Sequence, residues 1–522
     1  MGSQSATFII LILYVAVMIS IGFYTSKRTK SASDFMLGGR NVGSWLTAFS
    51  YGTTYFSAVV FIGYAGQFGW SYGVSASWVG IGNAIIGSLI PFFLIGRRTR
   101  IMTNHIGAKT MPEYFEHRFD SKALKTASAI IVFVFLIPYT ASVYNGLSRL
   151  FGMVFDLGEN GGTIIIILMA LLSAVYVTMG GYKATALNDF FQGIIMLIGI
   201  STVVFLTVNK KDGFSSAVEQ LNAIADTEKL GTLFGPDPIN LFGVVLLTSL
   251  GTWGLPQMVQ KFYAIKDEQA IKKGAVISTL FAFVVAGGSY LMGGFVRLYC
   301  TLDENDTSKT YIETVNGKPV YDTMVPALLH QALPNLLIGL VVVLVLSASL
   351  STLSSLVLTS SSTLTNDLIK PHVKDFDDKK QMTTMRIFIA VFLVISVIIA
   401  CNKNASISTL MSYSWGALSG AFLGPFLYGL FMKKASCTAC WTSFCTGIGI
   451  TLLHMFLFSM NIEAFSGIRQ AVIDMHCPLN LLSPINAGAF SMILSLIIVP
   501  VVSSFTKAPD QKKVENAFSC LK

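Results

Sequence analysis

The stretch SYGTTYFS at residues 50–57 interrupts an apolar segment that is otherwise long enough to cross a membrane. A second stretch, SLGTWGLP at residues 249–256, interrupts a later apolar segment at a comparable depth. Glycine and proline weaken a helix, and irregular backbone inside a membrane is tolerated where it lines a cavity or a binding site. The breaks lie in the second and seventh apolar segments, the spacing expected of inverted repeats in secondary transporters. The alternative is ordinary close packing of helices through glycine.

The composition predicts an all-α integral membrane protein. Of 522 residues, 53% are hydrophobic and 12% are charged, and the mean hydropathy is +0.65. A soluble protein has about 25% charged residues. Apolar stretches of about 20 residues predict spans. Thirteen are expected, near residues 7–25, 41–66, 75–97, 123–152, 161–179, 187–208, 237–259, 274–299, 336–365, 386–401, 406–432, 439–460 and 485–505.

Basic residues predict the orientation in a cell membrane, because cytoplasmic loops carry an excess of lysine and arginine. With the N-terminus outside and the C-terminus in the cytoplasm, 27 of the 36 lysine and arginine residues fall inside and 9 outside. The net charge of +9 therefore reports membrane topology, and no nucleic-acid partner is expected. The main cytoplasmic groups are expected in residues 27–40, 97–125, 261–273, 370–386, 433–434 and 507–522.

The spans predict four regions. Residues 1–40 form a first helix and a cytoplasmic loop, and residues 41–432 form a core of two repeats, about 41–208 and 237–432. Residues 433–505 form two peripheral helices, and residues 506–522 form a flexible cytoplasmic tail.

Few other outer-face features bear on the fold. Cys300 and Cys477 lie near the predicted outer face, and the sequence leaves open whether they pair. Asn305 and Asn404 begin N-x-S/T sequons in predicted outer loops, which matter only in a secretory host.

The run SASLSTLSS at residues 347–355 carries several side-chain oxygens to membrane depth. Hydroxyls and carbonyls are hard donors that suit a small alkali cation. The alternative is that these hydroxyls bond back to the preceding helical turn or allow close helix packing. Asp189, at the start of the sixth span, is a candidate to attract a cation, or else a favourable charge at a helix N-terminus. No nucleotide-binding loop, catalytic carboxylate pair or nucleophile elbow is evident, so no enzyme activity is expected.

Five motifs occur in the order typical of one family. They are DFMLGGR at 34–40, MPEYFEHRF at 111–119, GGYKATALNDFFQ at 180–192, LSTLSS at 350–355 and SSTLTND at 361–367. With them the chain resembles the sodium/solute symporter family, and its N-terminal third resembles the proline-permease branch. The resemblance implies a leucine-transporter-type five-plus-five inverted repeat, with one helix before it and others after it.

The resemblance also implies cation sites. The family's main sodium site uses carbonyls of the first broken helix and oxygens of the eighth core helix. The matching positions here are Thr53, Phe56, Ala348, Ser351 and Thr352. Members that resemble a sialic-acid transporter add a second sodium beside an aspartate and two serines. The matching residues here are Asp189, Ser354 and Ser355.

Substrate-binding residues of better-known members are mostly absent. Proline permeases carry aromatic residues in the seventh span and an aspartate in the second, sugar transporters carry a glutamine and a glutamate, and the sialic-acid transporter carries an arginine. Here the two aromatic positions match Thr248 and Thr252, and the aspartate matches Tyr55. The glutamine and the glutamate match Val60 and Ser77, and the arginine falls near Leu136. Only Tyr139 matches a proline-permease tyrosine. Proline, sugars and sialic acid therefore lose support as solutes, whereas a small amino acid or a monocarboxylate is retained. The cavity is expected to be lined by Thr54, Tyr55, Ser57, Tyr139, Thr252 and Trp253.

The predicted function is symport, in which the sodium gradient drives uptake of a small organic solute across the lipid bilayer. No ATP or organic cofactor is implied, and the oligomeric state is left open. One alternative is a sensor on a transporter fold, which is expected to carry a signalling domain, and residues 506–522 are too short for one. Another alternative is a channel or an uncoupled facilitator. Trp78, Trp253 and Trp415 are candidates to contact the solute, although interfacial or packing roles are commoner for such residues.

Overall fold

The computed structural model describes residues 2–155, 161–224, 229–315, 317–401, 406–460, 462–507 and 509–521. Its first half contains ten α-helices: α1 Gly2–Ser26, α2 Ala32–Leu37, α3 Ser44–Tyr55, α4 Ala65–Tyr72, α5 Ser77–Ala84, α6 Arg97–His105, α7 Met111–Phe119, α8 Lys122–Phe155, α9 Gly161–Asn209 and α10 Phe214–Asn222. Its second half contains α11 Pro238–Val245, α12 Pro256–Ala264, α13 Glu268–Gly294, α14 Met324–Ala332, α15 Asn335–Thr363, α16 Asp378–Cys401, α17 Ile407–Phe431, α18 Cys437–His454, α19 Ser466–Asp474, α20 Pro484–Phe505 and α21 Gln511–Ser519.

Shorter helical turns join several of these helices. Wider π turns lie at Val59–Tyr64, Ile85–Leu89, Phe92–Gly96, Leu246–Leu250, Leu364–Ile369 and Met455–Ser459. Tighter 3-10 turns lie at Gly38–Arg40, Gly73–Ala76, Gly251–Trp253, Val296–Leu298, Tyr321–Thr323, Lys370–His372 and Glu463–Phe465.

Length and composition identify nine to ten membrane-spanning helices in the described part of the protein, and the long helices and α17 bring the number to about the thirteen predicted. Nine continuous helices are long and apolar enough to span a membrane. Two of them, Val59–His105 with 47 residues and Gly161–Asn209 with 49 residues, are long enough to cross twice. The pair Pro238–Trp253 and Pro256–Ala264, bent by 41°, adds another crossing. The 25-residue α17 adds the last, although its serines, glycines and tyrosines make it less apolar.

Both predicted helix breaks are confirmed. α3 ends where Phe56 adopts extended backbone (φ −108°, ψ 104°), and helical structure resumes at Val59. The second break lies between Trp253 and Pro256, where Leu255 is extended (φ −80°, ψ 121°). Each break exposes backbone groups that would otherwise be paired inside a helix.

α9 joins two predicted spans and turns at Gly181. This glycine has φ +54° and ψ −142°, a conformation that residues with a side chain rarely adopt. An added Cβ would also lie 2.6 Å from the Phe35 carbonyl oxygen. The turn allows the chain to reverse between the fifth and sixth crossings.

α15 lies at the centre of the bundle, while α1 lies at its edge. In the most apolar part of the α15 span 83% of the residues are buried, compared with 22% for α1. α15 packs against α3, α8 and α9. Its hydroxyl run therefore faces protein and not lipid.

The glycines of α17 lie at a close helix–helix contact. Gly416, Gly420 and Gly424 lie against α20, where an added Cβ would come within 3.0 Å of backbone or serine atoms. These small residues allow the two helices to approach closely.

Two features differ from the expectations of the sequence analysis, namely short strands in an outer loop and a helix in the C-terminal tail. Residues 300–319 contain four two-residue strands: β1 Cys300–Thr301 pairs in parallel with β2 Thr310–Tyr311, and β3 Thr314–Val315 pairs antiparallel with β4 Lys318–Pro319. The C-terminal tail, expected to be flexible, forms α21, and Lys513 makes an ion pair with Asp120.

The two cysteines near the predicted outer face are not paired. Cys300 is buried and Cys477 is exposed, both as free thiols. Asn404 lies outside the described residues.

Candidate functional site

The break after α3 leaves carbonyl groups that hydroxyls of α15 satisfy. The Ser351 hydroxyl lies 2.9 Å from the Thr53 carbonyl oxygen and 2.9 Å from the Ala348 carbonyl oxygen. The Thr352 hydroxyl lies 3.3 Å from the Thr53 oxygen, 3.1 Å from the Thr54 oxygen and 3.1 Å from the Ala348 oxygen. We call these five residues the main oxygen cluster.

The main oxygen cluster contains four of the five residues implied for the main sodium site and adds Thr54. The fifth implied residue, Phe56, lies beside Ala348 along the wall of a small cavity. Within the described residues its carbonyl accepts no hydrogen bond from Ser351 or Thr352. The cluster is buried and consists of uncharged, hard oxygen donors. Such a set fits Na⁺, because hydroxyl lone pairs and carbonyls replace water around the ion.

A second cluster of oxygens lies one helical turn further along α15. The Ser355 hydroxyl lies 2.8 Å from the Thr54 hydroxyl and accepts a hydrogen bond of 2.9 Å from the Lys261 ammonium group. Asp189 is fully buried and accepts a hydrogen bond from Ser50. The Ser354 hydroxyl donates to the Ser351 carbonyl at 2.8 Å, within its own helix. We call the oxygens of Ser50, Asp189 and Ser355, together with the Lys261 ammonium group that bonds to Ser355, the second oxygen cluster.

The predicted solute-binding residues separate into two groups. Three of them bond to the segment that contains α5: the Tyr55 hydroxyl to Asn83 (3.0 Å), the Trp253 indole to the Ile86 carbonyl (2.8 Å) and the Thr252 hydroxyl to the Gly87 carbonyl (3.0 Å). The other three are Thr54, Ser57 and Tyr139, which lie at the first break or face it.

Trp415 of α17 completes an aromatic cluster beside the first break. Its ring stacks on Tyr55 with centroids 6.0 Å apart and meets Tyr139 edge to face, also at 6.0 Å. Tyr55 in turn stacks on Phe56 at 4.3 Å. The indole Nε1 of Trp415 is buried and interacts with the nearby Tyr139 hydroxyl, but it makes no hydrogen bond of normal geometry among the described residues. A buried donor without a partner is costly, so a ligand acceptor would stabilise it.

Comparison with known proteins identifies the chain's family. The family model for sodium:solute symporters matches residues 35–447, most of the chain. The chain belongs to the sodium:solute symporter family. Accordingly it is a multi-pass membrane protein and a sodium-coupled symporter of a small organic solute.

Named relatives and solved structures of other transporters resemble this chain over most of its length. Sodium/proline symporters of Staphylococcus aureus strains JH9 and JH1 are each 28% identical over 519 residues, covering 96% of this chain and 93% of the relative. A Na⁺-coupled sialic acid symporter in a substrate-bound outward-open state has a TM-score of 0.70 at 19% identity, covering 97% of this chain and 99% of that one. A nucleobase-cation-symport-1 family transporter, closed with bromovinylhydantoin bound, has a TM-score of 0.52 at 12% identity, covering 92% and 97%. The fold is the leucine-transporter-type inverted repeat.

Two residues beside the candidate site were not placed there by the sequence analysis. Lys261 was expected in a cytoplasmic loop because the apolar run ends near residue 259, but α12 continues to Ala264 and buries it. Trp415 was left between a solute contact and a packing role, and the position of its buried Nε1 emerges only from the three-dimensional arrangement. The sequence does contain a signal that Lys261 lies in a helix and not in a loop, because a helix that restarts at Pro256 places residue 261 in its second turn.

Proposed function

We propose that the coupling sodium ion binds at Thr53, Phe56, Ala348, Ser351 and Thr352, of which all but Phe56 belong to the main oxygen cluster. The observation that carries this proposal is the convergence of the Ser351 and Thr352 hydroxyls on the Thr53 and Thr54 carbonyls, at 2.9–3.3 Å. In the sodium-bound protein both hydroxyls rotate so that their lone pairs face the ion. No charged side chain belongs to this cluster, so the ion supplies its only net charge.

Sodium at this position would join the broken helix to α15. A ligand shifts a conformational equilibrium only through its different affinity for the two states. An ion held by both elements favours the arrangement in which they touch, and this arrangement also positions the aromatic cluster. This shared preference is the coupling between ion and solute. The solute would then be released inside by rocking of one helix group against the other.

The solute is proposed to be a small amino acid or monocarboxylate held near the first break. Thr54, Ser57 and Tyr139 supply polar contacts to the solute. Tyr55, Thr252 and Trp253 form part of the cavity wall, while their polar atoms bond to residues 83–87. The Trp415 Nε1 would donate to the solute carboxylate. Proline stays within this class, as the named Staphylococcus aureus relatives are sodium/proline symporters. None of these side chains is a lysine or an arginine, so the nearby sodium ion provides the charge that balances the carboxylate.

Three further assignments complete the proposal. The N-terminus lies outside the cell and the C-terminus in the cytoplasm of a plasma-membrane protein, on the basis of the lysine and arginine distribution. Residues 41–208 and 237–432 form the two repeats, with residues 433–505 peripheral and 506–522 as the tail. The chain moves its solute without covalent chemistry and is not an enzyme.

Uptake by purified protein in liposomes tests the transport proposal. A panel of small neutral amino acids, including proline, and of monocarboxylates is offered under an inward sodium gradient. Accumulation above the external concentration that disappears when choline replaces sodium is the expected result. Uptake that only equilibrates would indicate a facilitator, and binding without uptake would indicate a sensor, and each of these outcomes would overturn the proposal.

A further inference from the structure

Lys261 places a full positive charge in the interior of the bundle. The residue is 1% exposed, and α12 carries it there directly after the second helix break. A buried ammonium group is tolerated only when it is paired and hydrogen-bonded. Its surroundings therefore show what the protein provides for a cation at this depth.

Three groups surround the Lys261 ammonium. The Ser355 hydroxyl accepts its hydrogen bond at 2.9 Å, and the Tyr182 ring lies 5.2 Å away as a cation–π partner. Asp189 supplies the opposing charge, and each is the other's main electrostatic partner. The ammonium and the carboxylate do not form an ion pair within 4 Å, and one carboxylate oxygen of Asp189 has no hydrogen-bond partner in the described part of the protein.

Two of these groups, Asp189 and Ser355, are also among the three ligands that the family resemblance implies for a second sodium ion. The Ser355 hydroxyl already accepts the Lys261 hydrogen bond, and Asp189 is the main electrostatic partner of Lys261. The hydroxyl of the third ligand, Ser354, is bonded to the Ser351 carbonyl. One positive and one negative charge already balance in this cluster. A sodium ion added here would face the lysine ammonium at short range in a low-dielectric interior, where like charges repel strongly.

We propose that the Lys261 ammonium group is a tethered cation that takes the place of a second sodium, so that one sodium ion is coupled to each solute. This inference rests on the proposed function, since it concerns the stoichiometry of the same transport cycle. The tethered cation also remains connected to the first break, because Ser355 contacts both Lys261 and the Thr54 hydroxyl. The main oxygen cluster, which contains no charge of its own, stays available for the mobile ion.

The test is the ratio of radioactive sodium influx to solute influx in liposomes that contain the purified protein. The wild type is expected to give one sodium per solute. Lys261→Gln keeps a hydrogen-bond donor for Ser355 and removes the charge, so the ratio should double to two and the sodium dependence should become sigmoidal. Lys261→Arg keeps the charge and should stay at one, as should Lys272→Gln, a neutralised lysine at an exposed position of α13.

A double variant separates charge from other effects. Asp189→Asn with Lys261→Gln removes both charges, and its ratio should return to one because no carboxylate remains to attract a second ion. A wild-type ratio of two would overturn the inference even if no variant folds. A ratio of one in a Lys261→Gln protein that still transports would overturn it as well. Sodium-independent uptake by the wild type would instead overturn the proposed function, which distinguishes the two failures.

Discussion

Two clusters of oxygens lie one helical turn apart on α15, and they differ in the groups that face them. Ser351 and Thr352 face backbone carbonyls released by the first helix break, with no charge nearby in the cluster. Ser355 faces the ammonium group of Lys261, which follows the second break. In our proposal, the same hydroxyl chemistry binds a mobile cation at one position and contacts a fixed cation at the other.

The difference arises from the two broken helices. The first break presents its carbonyl oxygens to α15, and the second presents a side chain five residues beyond Pro256. The two halves of an inverted repeat are alike in shape, but their residues at the break are not. The position of a helix break therefore predicts where a site lies, whereas the side chains that face the break determine which ion or group the site binds.

Thr352→Ala should have the largest effect on transport, because it removes a hydroxyl that reaches three carbonyl oxygens. Loss of one contact to a charged group, worth about 1.5–3 kcal/mol, raises the sodium concentration for half-maximal uptake about 10- to 100-fold. The measurement is solute uptake against sodium concentration. Ser349→Ala is the matched control, since that hydroxyl bonds back to the Val345 carbonyl at 2.7 Å. Equal sodium dependence in the two variants would contradict the assignment.

Trp415→Phe should come next, since it removes the buried Nε1 donor and keeps an aromatic ring against Tyr55 and Tyr139. The solute concentration for half-maximal uptake should rise about tenfold, the value of one hydrogen bond to a carboxylate. The half-saturating sodium concentration should change little. Trp441→Phe, in the peripheral α18, provides the control. An unchanged solute affinity would show that Trp415 only packs.

Tyr55→Phe should alter stability more than solute affinity, because its hydroxyl bonds to Asn83 and to the Thr248 carbonyl. The loss leaves a buried acceptor unpaired, at a cost of about 1–3 kcal/mol in the free energy of unfolding. Thermal denaturation of the purified protein measures this change. A solute affinity that falls as far as in Trp415→Phe, with stability unchanged, would place the Tyr55 hydroxyl on the solute instead.

Ser354→Ala should have the smallest effect. Its hydroxyl bonds to the Ser351 carbonyl inside α15, as serines commonly do in helices, and contacts no group of the second oxygen cluster among the described residues. Half-saturating sodium and solute concentrations should stay within about twofold of the wild type. A tenfold loss of sodium affinity would mean that Ser354 is a ligand, and the distinction between the clusters would fail.

Much of the fold followed from the sequence because the physical signals were local. Apolar length predicted the crossings, and glycine and proline predicted both breaks, which the structure places at Phe56 and Leu255. The crossings and the breaks depend on neighbours in the chain. The contact of Ser351 and Thr352 with Thr53, 298 and 299 positions away, was implied by the family resemblance and not by a local pattern.

The rest depended on long-range arrangement. A hydropathy boundary near residue 259 placed Lys261 in water, since a lysine lowers the local average whether or not it is buried with a partner. Tyr55, Thr252 and Trp253 were expected in the cavity, but their polar atoms bond to residues 83–87, distant in sequence. A buried donor such as Nε1 of Trp415 becomes visible only once every neighbour is placed.

Equilibrium binding of radioactive sodium to the purified protein tests the proposed sodium site directly, because it requires neither solute nor transport. We expect one ion per wild-type chain, and no saturable binding at the same concentrations when Ser351→Ala and Thr352→Ala are combined. Ser349→Ala should bind like the wild type. Wild-type sodium binding in the double variant would contradict the claim that these two hydroxyls and the first helix break hold the coupling ion.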